Sequence, residues 1–204
     1  MKTLGKNCEE NVKAIKSILT SEDILVYRFK SGDGTACAAV YTDGLTDKAL
    51  LGEQVARPLL SSTSPKSIQE AAGMLLSPET KAVDSPEGAA EEILAGNPVI
   101  VIDGMRGALA AGLKKLTMRA IMEPPGAFAV KGPREGFIED IKTNMSLVRN
   151  RLRTPKLQFK MLKAGRQSGT AIAVGFLEGI ANAEIVEKIC TKIEQIDTDA
   201  ILDS

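Results

Sequence analysis

The chain contains two copies of the same sequence unit. Residues 11–51 align with residues 144–186, and the alignment needs a single two-residue slip. In its first half, Asn11, Ile15, Lys16, Leu19 and Ile24 match Asn144, Val148, Arg149, Leu152 and Leu157. In its second half, 34–38 matches 169–173 and 41–45 matches 176–180. A repeat of this length in a chain of 204 residues indicates two related subdomains and not a solenoid of short units.

Hydrophobic periodicity predicts the order helix, strand, strand, helix in each copy. For the first copy the predicted elements are a helix around 8–19, strands at 24–30 and 35–42, and a helix after Asp47. For the second copy they are a helix that ends before Pro155, strands at 157–163 and 170–177, and a helix at 183–195. Because a two-stranded hairpin is marginally stable in water, helices must cover each pair of strands.

The first copy is followed by an insert that the second copy lacks. Helix starts are predicted at Ser64-Pro65 and Ser85-Pro86, where a capping serine precedes a proline at the first helical position. Ser67 and Glu70, at the first of these starts, also have the spacing of a capping box. The β-branched run 99–102 is the candidate for a central strand, and 108–113 is a further candidate strand. We expect these strands to widen the sheet of the first copy.

These patterns predict an α/β fold built on the repeated helix–strand–strand–helix unit. The first subdomain covers residues 1–125 and includes the insert 61–125, and the second covers residues 126–204. Each subdomain is predicted to be a small mixed sheet covered by helices.

Composition excludes several classes of function. The chain has no histidine, which removes the commonest general base and the commonest transition-metal ligand. Lys+Arg and Asp+Glu balance at 26 each and aromatic residues make up only 3%, so neither net charge nor base stacking favours nucleic acid. The cysteines are few and far apart, which predicts buried free thiols in a reducing compartment and no zinc site. We therefore predict no metal and no other cofactor.

Targeting signals are not visible in the sequence. Residues 1–20 are too polar for the apolar core of a signal peptide. No apolar run approaches the roughly 20 residues of a membrane span. The chain as given is predicted to be soluble.

An acidic residue followed by glycine and an apolar residue occurs three times, each time after a predicted strand. These triplets begin at Asp43, Asp103 and Glu178. One interpretation is a ring of carboxylates at strand ends, where α/β sheets bind ligands or a cation. The alternative is turn chemistry, in which glycine takes a positive φ and the acid accepts hydrogen bonds from nearby N–H groups. The second interpretation is the commoner one for such triplets.

The most distinctive motif is Lys-Gly-Pro-Arg-Glu-Gly-Phe at residues 131–137, just before a predicted helix. The free N–H groups at the start of that helix can hold an anion, with Lys131 or Arg134 clamping a carboxylate or phosphate. Alternatively, Glu135 stabilises the helix N-terminus and Arg134 pairs with an acid across the subdomain junction. The glycine spacing and the absence of a Lys-Ser/Thr pair exclude a P-loop.

Residues 142–166 are rich in basic side chains, and Lys142, Arg149 and Arg153 share one face of the predicted helix. One interpretation is contact with phosphates or anionic lipid headgroups. The alternative is a solvated face without a partner. No nucleophile in the chain has a recognisable neighbouring base, so covalent catalysis is not indicated.

The sequence resembles the A subunit of bacterial spore germinant receptors over essentially its whole length. The matching positions of the second half are 132–137, Glu139, Thr143-Asn144, Leu147, Arg149, Arg151, Pro155, Leu157, Gly165-Arg166, 178–181 and 201–204. Those of the first half are Asn11-Val12, 43–45, Pro58-Leu59 and 102–104. The chain departs from the family at Arg149-Asn150-Arg151, where three arginines are usual, and at 114–119, where an aromatic-rich stretch with a tryptophan is usual.

The resemblance implies a soluble portion of a membrane protein that faces the spore core. The parent subunit would lie in the spore inner membrane and assemble with a transporter-like B subunit, a lipoprotein C subunit and other A subunits. The complex would sense amino acids, sugars or nucleosides and start germination through ion release. The implied candidates for ligand or subunit contacts are Arg134, Glu135, Phe137, Asp43, Asp103, Glu178, Asn144 and Arg166.

Three hypotheses of function follow. The first is a sensing and coupling domain, not an enzyme, in which two lobes meet near 117–136 and close on a small ligand. The second is an assembly domain that has no ligand of its own. The third is an enzyme acting on small anions, which depends only on the helix after Gly136 and lacks a nameable acid–base pair.

Overall fold

The structure is a computed structural model of the chain, and it describes residues 3–115 and 136–201. We call these two ranges the N-terminal part and the C-terminal part. The elements of the N-terminal part are α1 (Cys8–Ile18), β1 (Ile24–Lys30), β2 (Ala36–Thr42), α2 (Lys48–Leu50), a π-helix (Leu51–Ala56), α3 (Arg57–Leu60), α4 (Ile68–Met74), β3 (Thr80–Val83), α5 (Pro86–Ala95), β4 (Val99–Ile102) and β5 (Ala108–Ala111). Those of the C-terminal part are α6 (Ile141–Arg151), β6 (Leu157–Ala164), β7 (Thr170–Leu177) and α7 (Ala183–Glu194).

The N-terminal part is built on a five-stranded sheet in the order β1-β2-β4-β5-β3. The run 99–102 forms β4 in the middle of this sheet, which confirms the prediction of a central strand. The insert widens the first hairpin as expected. The mixed pairing that we predicted is not observed, because every strand pair is antiparallel. The chain reverses between neighbouring strands, for instance in the short turn between β4 and β5.

Helices cover both faces of this sheet. In β4, Val99 and Val101 face α1 and α5, whereas Ile100 and Ile102 face the helical segment 48–60 and α4. Strand β2 alternates in the same way. A strand buried on both faces must be apolar throughout, which explains the uninterrupted β-branched run of β4.

Helix α4 begins at the predicted capping box of Ser67 and Glu70 and not at Ser64-Pro65. Its N-cap is Ser67, whose Oγ accepts a hydrogen bond from Glu70 N at 3.1 Å. The predicted cap Ser64 instead donates from its hydroxyl to Asp33 Oδ2 at 2.7 Å. Asp33 accepts hydrogen bonds from both serine hydroxyls around it and from backbone N–H groups, and these hold its pKa well below the ordinary value.

The C-terminal part contains a two-stranded sheet of β6 and β7. Helix α6 packs on the face that carries Leu157 and Phe159, and α7 contacts β6. No third strand pairs with β7 within residues 136–201 or 3–115, whereas its counterpart β2 pairs with β4. The hydrophobic core around Met145 is therefore smaller than the core of the N-terminal part.

The repeat is confirmed at the level of single hydrogen bonds. The amide of Asn11 both accepts from Gly5 N at 2.8 Å and donates to Gly5 O at 2.9 Å. Asn144 makes the same pair of bonds with Ile138, at 2.8 and 2.6 Å. The last helix of each copy also has equivalent caps, since Asp47 and Asn182 accept from N–H groups two and three residues later. The α/β fold class is thereby confirmed, and the boundary between 125 and 126 lies outside the described residues and stays a prediction.

Candidate functional site

The two parts of the chain meet at a buried ion pair. Arg149 of α6 directs its guanidinium to Asp23, which precedes β1, and both side chains are only 1% exposed. Nη2 donates to Oδ1 at 2.8 Å and to Oδ2 at 2.9 Å, and Nε donates to Oδ2 at 3.1 Å. Such charge-assisted bonds to a desolvated carboxylate specify a single geometry. The pair therefore sets how the second copy lies against the first.

Arg149 reaches Asp23 because it is an arginine and not a lysine. Its equivalent in the first copy is Lys16, whose Nζ donates to the carbonyls five and eight residues later at 3.4 and 3.0 Å. Arg149 Nη1 donates to the carbonyls at the same two spacings, at 3.1 and 3.0 Å. The planar guanidinium retains further donors, and these bind Asp23. Burial lowers the pKa of Lys16, and the charge of Asp23 opposes that shift.

The loop before β1 also binds the backbone of β6. Ser21 Oγ accepts a hydrogen bond from Phe159 N at 2.9 Å and donates to Asp23 Oδ1. Glu22 Oε2 accepts from Met161 N at 2.7 Å. Residues 21–23 thus fix both the helix and the first strand of the C-terminal part.

A second contact between the parts involves the Asp43-Gly44 turn. Gly44 has φ +83°, and a Cβ atom there would lie 2.7 Å from Lys142 O, so α6 approaches too closely for any other residue. The Asp43 carboxylate accepts from Lys48 Nζ at 2.6 Å and pairs with Lys142 Nζ at 3.1 Å. Burial raises the pKa of Asp43, but the hydrogen bonds from these two lysines outweigh burial and hold its pKa below the ordinary value.

A polar cavity of about 320 Å³ opens beside this turn, at the junction of the two parts. Its lining residues are Asp43, Gly44, Thr46, Asp47, Lys48, Lys115, Asp140, Lys142 and Thr143. Two of its carboxylates are occupied by helix caps, because Asp47 and Asp140 each accept from N–H groups of the helix that they begin. The hydrogen bonds from Thr143 lower the pKa of Asp140. The cavity presents both ammonium and carboxylate groups, which suits small zwitterionic or hydroxylated molecules.

The three acidic-Gly triplets do not form one ring. Asp43 follows the end of β2 and Asp103 follows the end of β4, and these strands are antiparallel, so the two carboxylates lie at opposite edges of the sheet. Asp103 Oδ1 accepts from Cys8 N at 3.0 Å at the start of α1. Glu178 Oε2 accepts from Gln158 Nε2 at 3.2 Å in the C-terminal part. All three glycines have positive φ, as the turn interpretation expects.

The remaining candidates lie in different places. Asn144 is occupied by its bonds to Ile138. Arg166 lies in the β6–β7 turn, is 66% exposed and forms ion pairs of 3.3 Å with Asp197 and Asp199. Phe137 is 72% exposed and lines an apolar groove of about 460 Å³ between α6 and β7.

Two of the predicted contact residues cannot be placed. Arg134 and Glu135 lie outside the described residues, as do Lys131 and the start of the motif 131–137. Of the six candidates within the described ranges, only Asp43 lines the junction cavity.

The thiols and the acidic groups form no metal-holding cluster in the described ranges. Within residues 3–115 and 136–201, no three His, Cys, Asp or Glu side chains are grouped so that they can hold a metal ion. Cys8, Cys37 and Cys190 are free and buried, as predicted. Burial raises the pKa of Cys8 to about 11, so its sulfur is a thiol at neutral pH.

Sequence reasoning missed the most buried charged pair of the junction. It grouped Arg149 with Lys142 and Arg153 on a basic face, and the solvated alternative is wrong for Arg149 because its side chain is 1% exposed. The available signal was the repeat itself, since a cation stands at the same helical position in both copies. Asp23 has no counterpart in the second copy, where Lys156 stands, so the repeat did not reveal it.

We expect removal of either partner of the buried pair to be strongly destabilising. Asp23→Asn and Arg149→Gln should each lower the free energy of unfolding by about 3–5 kcal/mol, because each leaves an uncompensated buried group. The double variant should lose less than the sum of the two, by about 1 kcal/mol or more. Urea unfolding measures these values, and Arg166→Gln, which breaks only exposed ion pairs, is the matched control. Additive losses would contradict a direct pair.

The Asp43 contact predicts a dependence of stability on pH. Its pKa is depressed in the folded state, so its contribution is present above the ordinary value of 3.8 and is lost as the pH falls through the folded pKa. Asp43→Asn should therefore cost about 1 kcal/mol at pH 7 and progressively less below pH 4. Thermal unfolding of both proteins across this range measures the difference. If the difference in stability between the two proteins increased as the pH fell, the proposed role of Asp43 would be wrong.

A solved structure has the same fold as this chain. Within the described ranges, no helix has the length and apolar character needed to cross a bilayer. The fold is similar to the crystal structure of the N-terminal domain of the A subunit of the Bacillus megaterium spore germinant receptor GerK3, with a TM-score of 0.73 and 22% identity. That match covers 96% of this chain and 74% of the solved chain. At this identity the likeness shows the fold alone.

Sequence relatives extend the comparison. The chain is 30% identical to spore germination protein KA of Bacillus subtilis over 99% of its own length and 38% of that protein. It is 27% identical to spore germination protein B1 of Bacillus subtilis, of which it covers 43%, and 30% identical to spore germination protein GerQA of Bacillus cereus, of which it covers 42%. The chain thus spans about two fifths of these relatives. The sequence model described as Bacillus/Clostridium GerA spore germination protein matches residues 12–204, and the chain therefore belongs to the GerA family of spore germination proteins.

Proposed function

We propose that the chain is the soluble, core-facing domain of a germinant receptor A subunit, and that it takes part in nutrient sensing and signal coupling. Membership of the GerA family over residues 12–204 supports a role in germination. The observation that favours sensing is the polar cavity between the two parts of the chain. In this proposal a small germinant binds there and alters the contact between the parts.

The chemistry of the cavity supports small polar germinants. Lys48 and Lys142 share the single carboxylate of Asp43, and Lys115 lines the same space. A ligand carboxylate can bind to these ammonium groups, and a ligand amine or hydroxyl can bind to the acidic side. Amino acids, sugars and nucleosides all carry such groups, and a volume of about 320 Å³ accommodates molecules of this size.

Coupling would work through the charged contact across the junction. Lys142 belongs to α6, whereas Asp43 belongs to the turn after β2. A ligand that competes for either partner changes the free energy of that contact, and a ligand shifts a conformational equilibrium only through such differential interactions. The buried Asp23–Arg149 pair would remain intact as the pivot.

The proposal extends to the protein of which this chain is a domain. The chain spans only about two fifths of its relatives. We propose that the parent protein also contains a membrane portion, as the resemblance to germinant receptor A subunits implies. We propose that the parent lies in the spore inner membrane with B and C subunits and other A subunits. Arg134 and Glu135 are proposed contact residues of that assembly, and charge reversal at either should then abolish it.

Ligand titration tests the sensing proposal. Isotope-labelled chain titrated with single amino acids, sugars and nucleosides should show saturable amide shifts at 43–48 and 140–143 for at least one class. Lys142→Gln should weaken that binding about tenfold, because one charge-assisted bond is lost. Lys188→Gln, on the exposed face of α7, is the matched control and should leave the affinity unchanged. No shift at millimolar ligand would exclude the cavity as the germinant site.

The alternative is an assembly domain without a ligand of its own. Apolar side chains on the C-terminal part favour it, because Ile185 and Ile189 lie one helical turn apart on α7 and are 56% and 43% exposed. Ile180 and Phe137 are exposed to 76% and 72%. Exposed apolar groups at helical spacing are typical of a protein interface.

Self-association tests this alternative. If α7 packs against another copy, Ile185→Ser together with Ile189→Ser should shift the chain from oligomer to monomer in sedimentation velocity, since the apolar contact area is removed. Leu76→Ser, at a 67% exposed position of the N-terminal part, is the control that should leave the oligomer intact. A monomer for the unmodified chain at all concentrations would remove the A–A version of the assembly hypothesis.

A further inference from the structure

A second polar cavity lies in the N-terminal part, away from the junction. Its volume is about 480 Å³, and its walls come from the segment before α1, the start of α4, the end of β3 and the turn between β4 and β5. Three of its lining side chains are cationic, namely Lys6, Lys66 and Arg106. They come from three separate segments of the chain, so no single helix or strand accounts for their convergence.

The cations in this cavity are not neutralised by neighbouring carboxylates. Within residues 3–115 and 136–201, Lys6, Lys66 and Arg106 form no ion pair with a carboxylate. Asp84 is the acidic residue among the lining side chains, so three positive charges face one negative charge. Among the lining side chains the cations outnumber the single carboxylate, and this local excess favours an anion.

The acids nearest in sequence to these cations have other hydrogen-bond partners. Glu9 Oε1 accepts from Arg28 Nε at 2.9 Å. Asp103 Oδ1 accepts from Cys8 N at 3.0 Å. Glu70 Oε2 accepts from Lys66 N at 2.8 Å. These bonds direct the three carboxylates towards other donors and leave their negative charges in place, and none of the three forms an ion pair with a cation of the cavity.

Backbone contacts hold the walls of the cavity in place. Gly104 N donates to Lys6 O at 2.8 Å, which ties the segment before α1 to the β4–β5 turn. Gly107, with φ +87°, lies so close to α4 that a Cβ atom would be 3.1 Å from Ile68 Cδ1. The base of each cationic side chain is therefore fixed relative to the others, and less ordering is required when an anion binds.

We propose that this cavity binds a compact soluble anion of two or more negative charges, of the phosphoryl class. A guanidinium donates two parallel hydrogen bonds to phosphoryl oxygens, and two ammonium groups supply the remaining charge. A monocarboxylate offers only one charge to three cations and is the weaker ligand. This site is separate from the junction cavity and does not depend on the sensing proposal.

Titration of the chain with inorganic phosphate and with pyrophosphate tests the site. The amides of Gln69 and of 104–107 should shift and saturate at millimolar phosphate, with tighter binding of pyrophosphate. Lys66→Gln combined with Arg106→Gln should weaken binding at least about tenfold, because two charge-assisted contacts are lost. Lys188→Gln combined with Lys192→Gln removes the same charge from α7 and should leave binding unchanged.

Other outcomes would overturn the proposal. Equal weakening by the α7 control would show that net charge alone attracts phosphate. Absence of shifts at 104–107 would show that the cavity does not bind the anion. Co-sedimentation with phosphatidylglycerol vesicles, lost in the Lys66/Arg106 variant and unaccompanied by any shift with phosphate, would assign the cations to a membrane surface. Unchanged amide spectra of both variants without ligand verify that they are folded.

Discussion

The contact on which the arrangement of this protein depends is the buried pair of Asp23 and Arg149. Two charged side chains at 1% exposure cannot be separated without leaving a desolvated charge, so the pair defines one relative position of the two parts. Ser21 and Glu22, next to Asp23 in the sequence, accept hydrogen bonds from the backbone of β6. The junction cavity next to Asp43 exists because the start of α6 is brought there by these contacts. Any change in the contacts at the cavity therefore takes place while the buried pair holds the two parts in position.

The duplication explains why the two copies share local contacts, and the insert and the arginine explain how they differ. Each copy retains the asparagine that ties the preceding segment to its first helix, and each retains a cation that binds two carbonyls after that helix. The first copy gained three strands from the insert and a core on both faces of its sheet. The second copy retained a two-stranded sheet with a small core. The second copy binds the first copy through Arg149, at the position where the first copy has Lys16. An arginine is needed there because a guanidinium can bind carbonyls and a carboxylate at the same time.

Much of the fold was predictable because it depends on local patterns. Alternation and periodicity located the strands and helices of both copies, and the β-branched run 99–102 identified the central strand. Both Ser64 and Ser67 satisfy the local rule for the cap of α4, and the bond from Ser64 to Asp33 shows that Ser67 is the cap. The pairing of strands that are distant along the chain, such as β2 and β4, also has no local signature. Since β2 and β4 are antiparallel, Asp43 and Asp103 follow opposite ends of this strand pair and do not form one acidic site.

By itself, the sequence determined the duplicated unit, the elements within it, the α/β class and the resemblance to germinant receptor A subunits. These follow from spacing along the chain, because turns, caps and amphipathic faces are formed by residues close in sequence. Only the tertiary structure decided which charges are buried and which cavity lies between the parts. Asp23 and Arg149 are separated by 126 positions, and Asp43 meets Lys142 across a similar distance in sequence. Such pairs form only when the chain has folded, since burial and proximity are properties of packing and not of spacing.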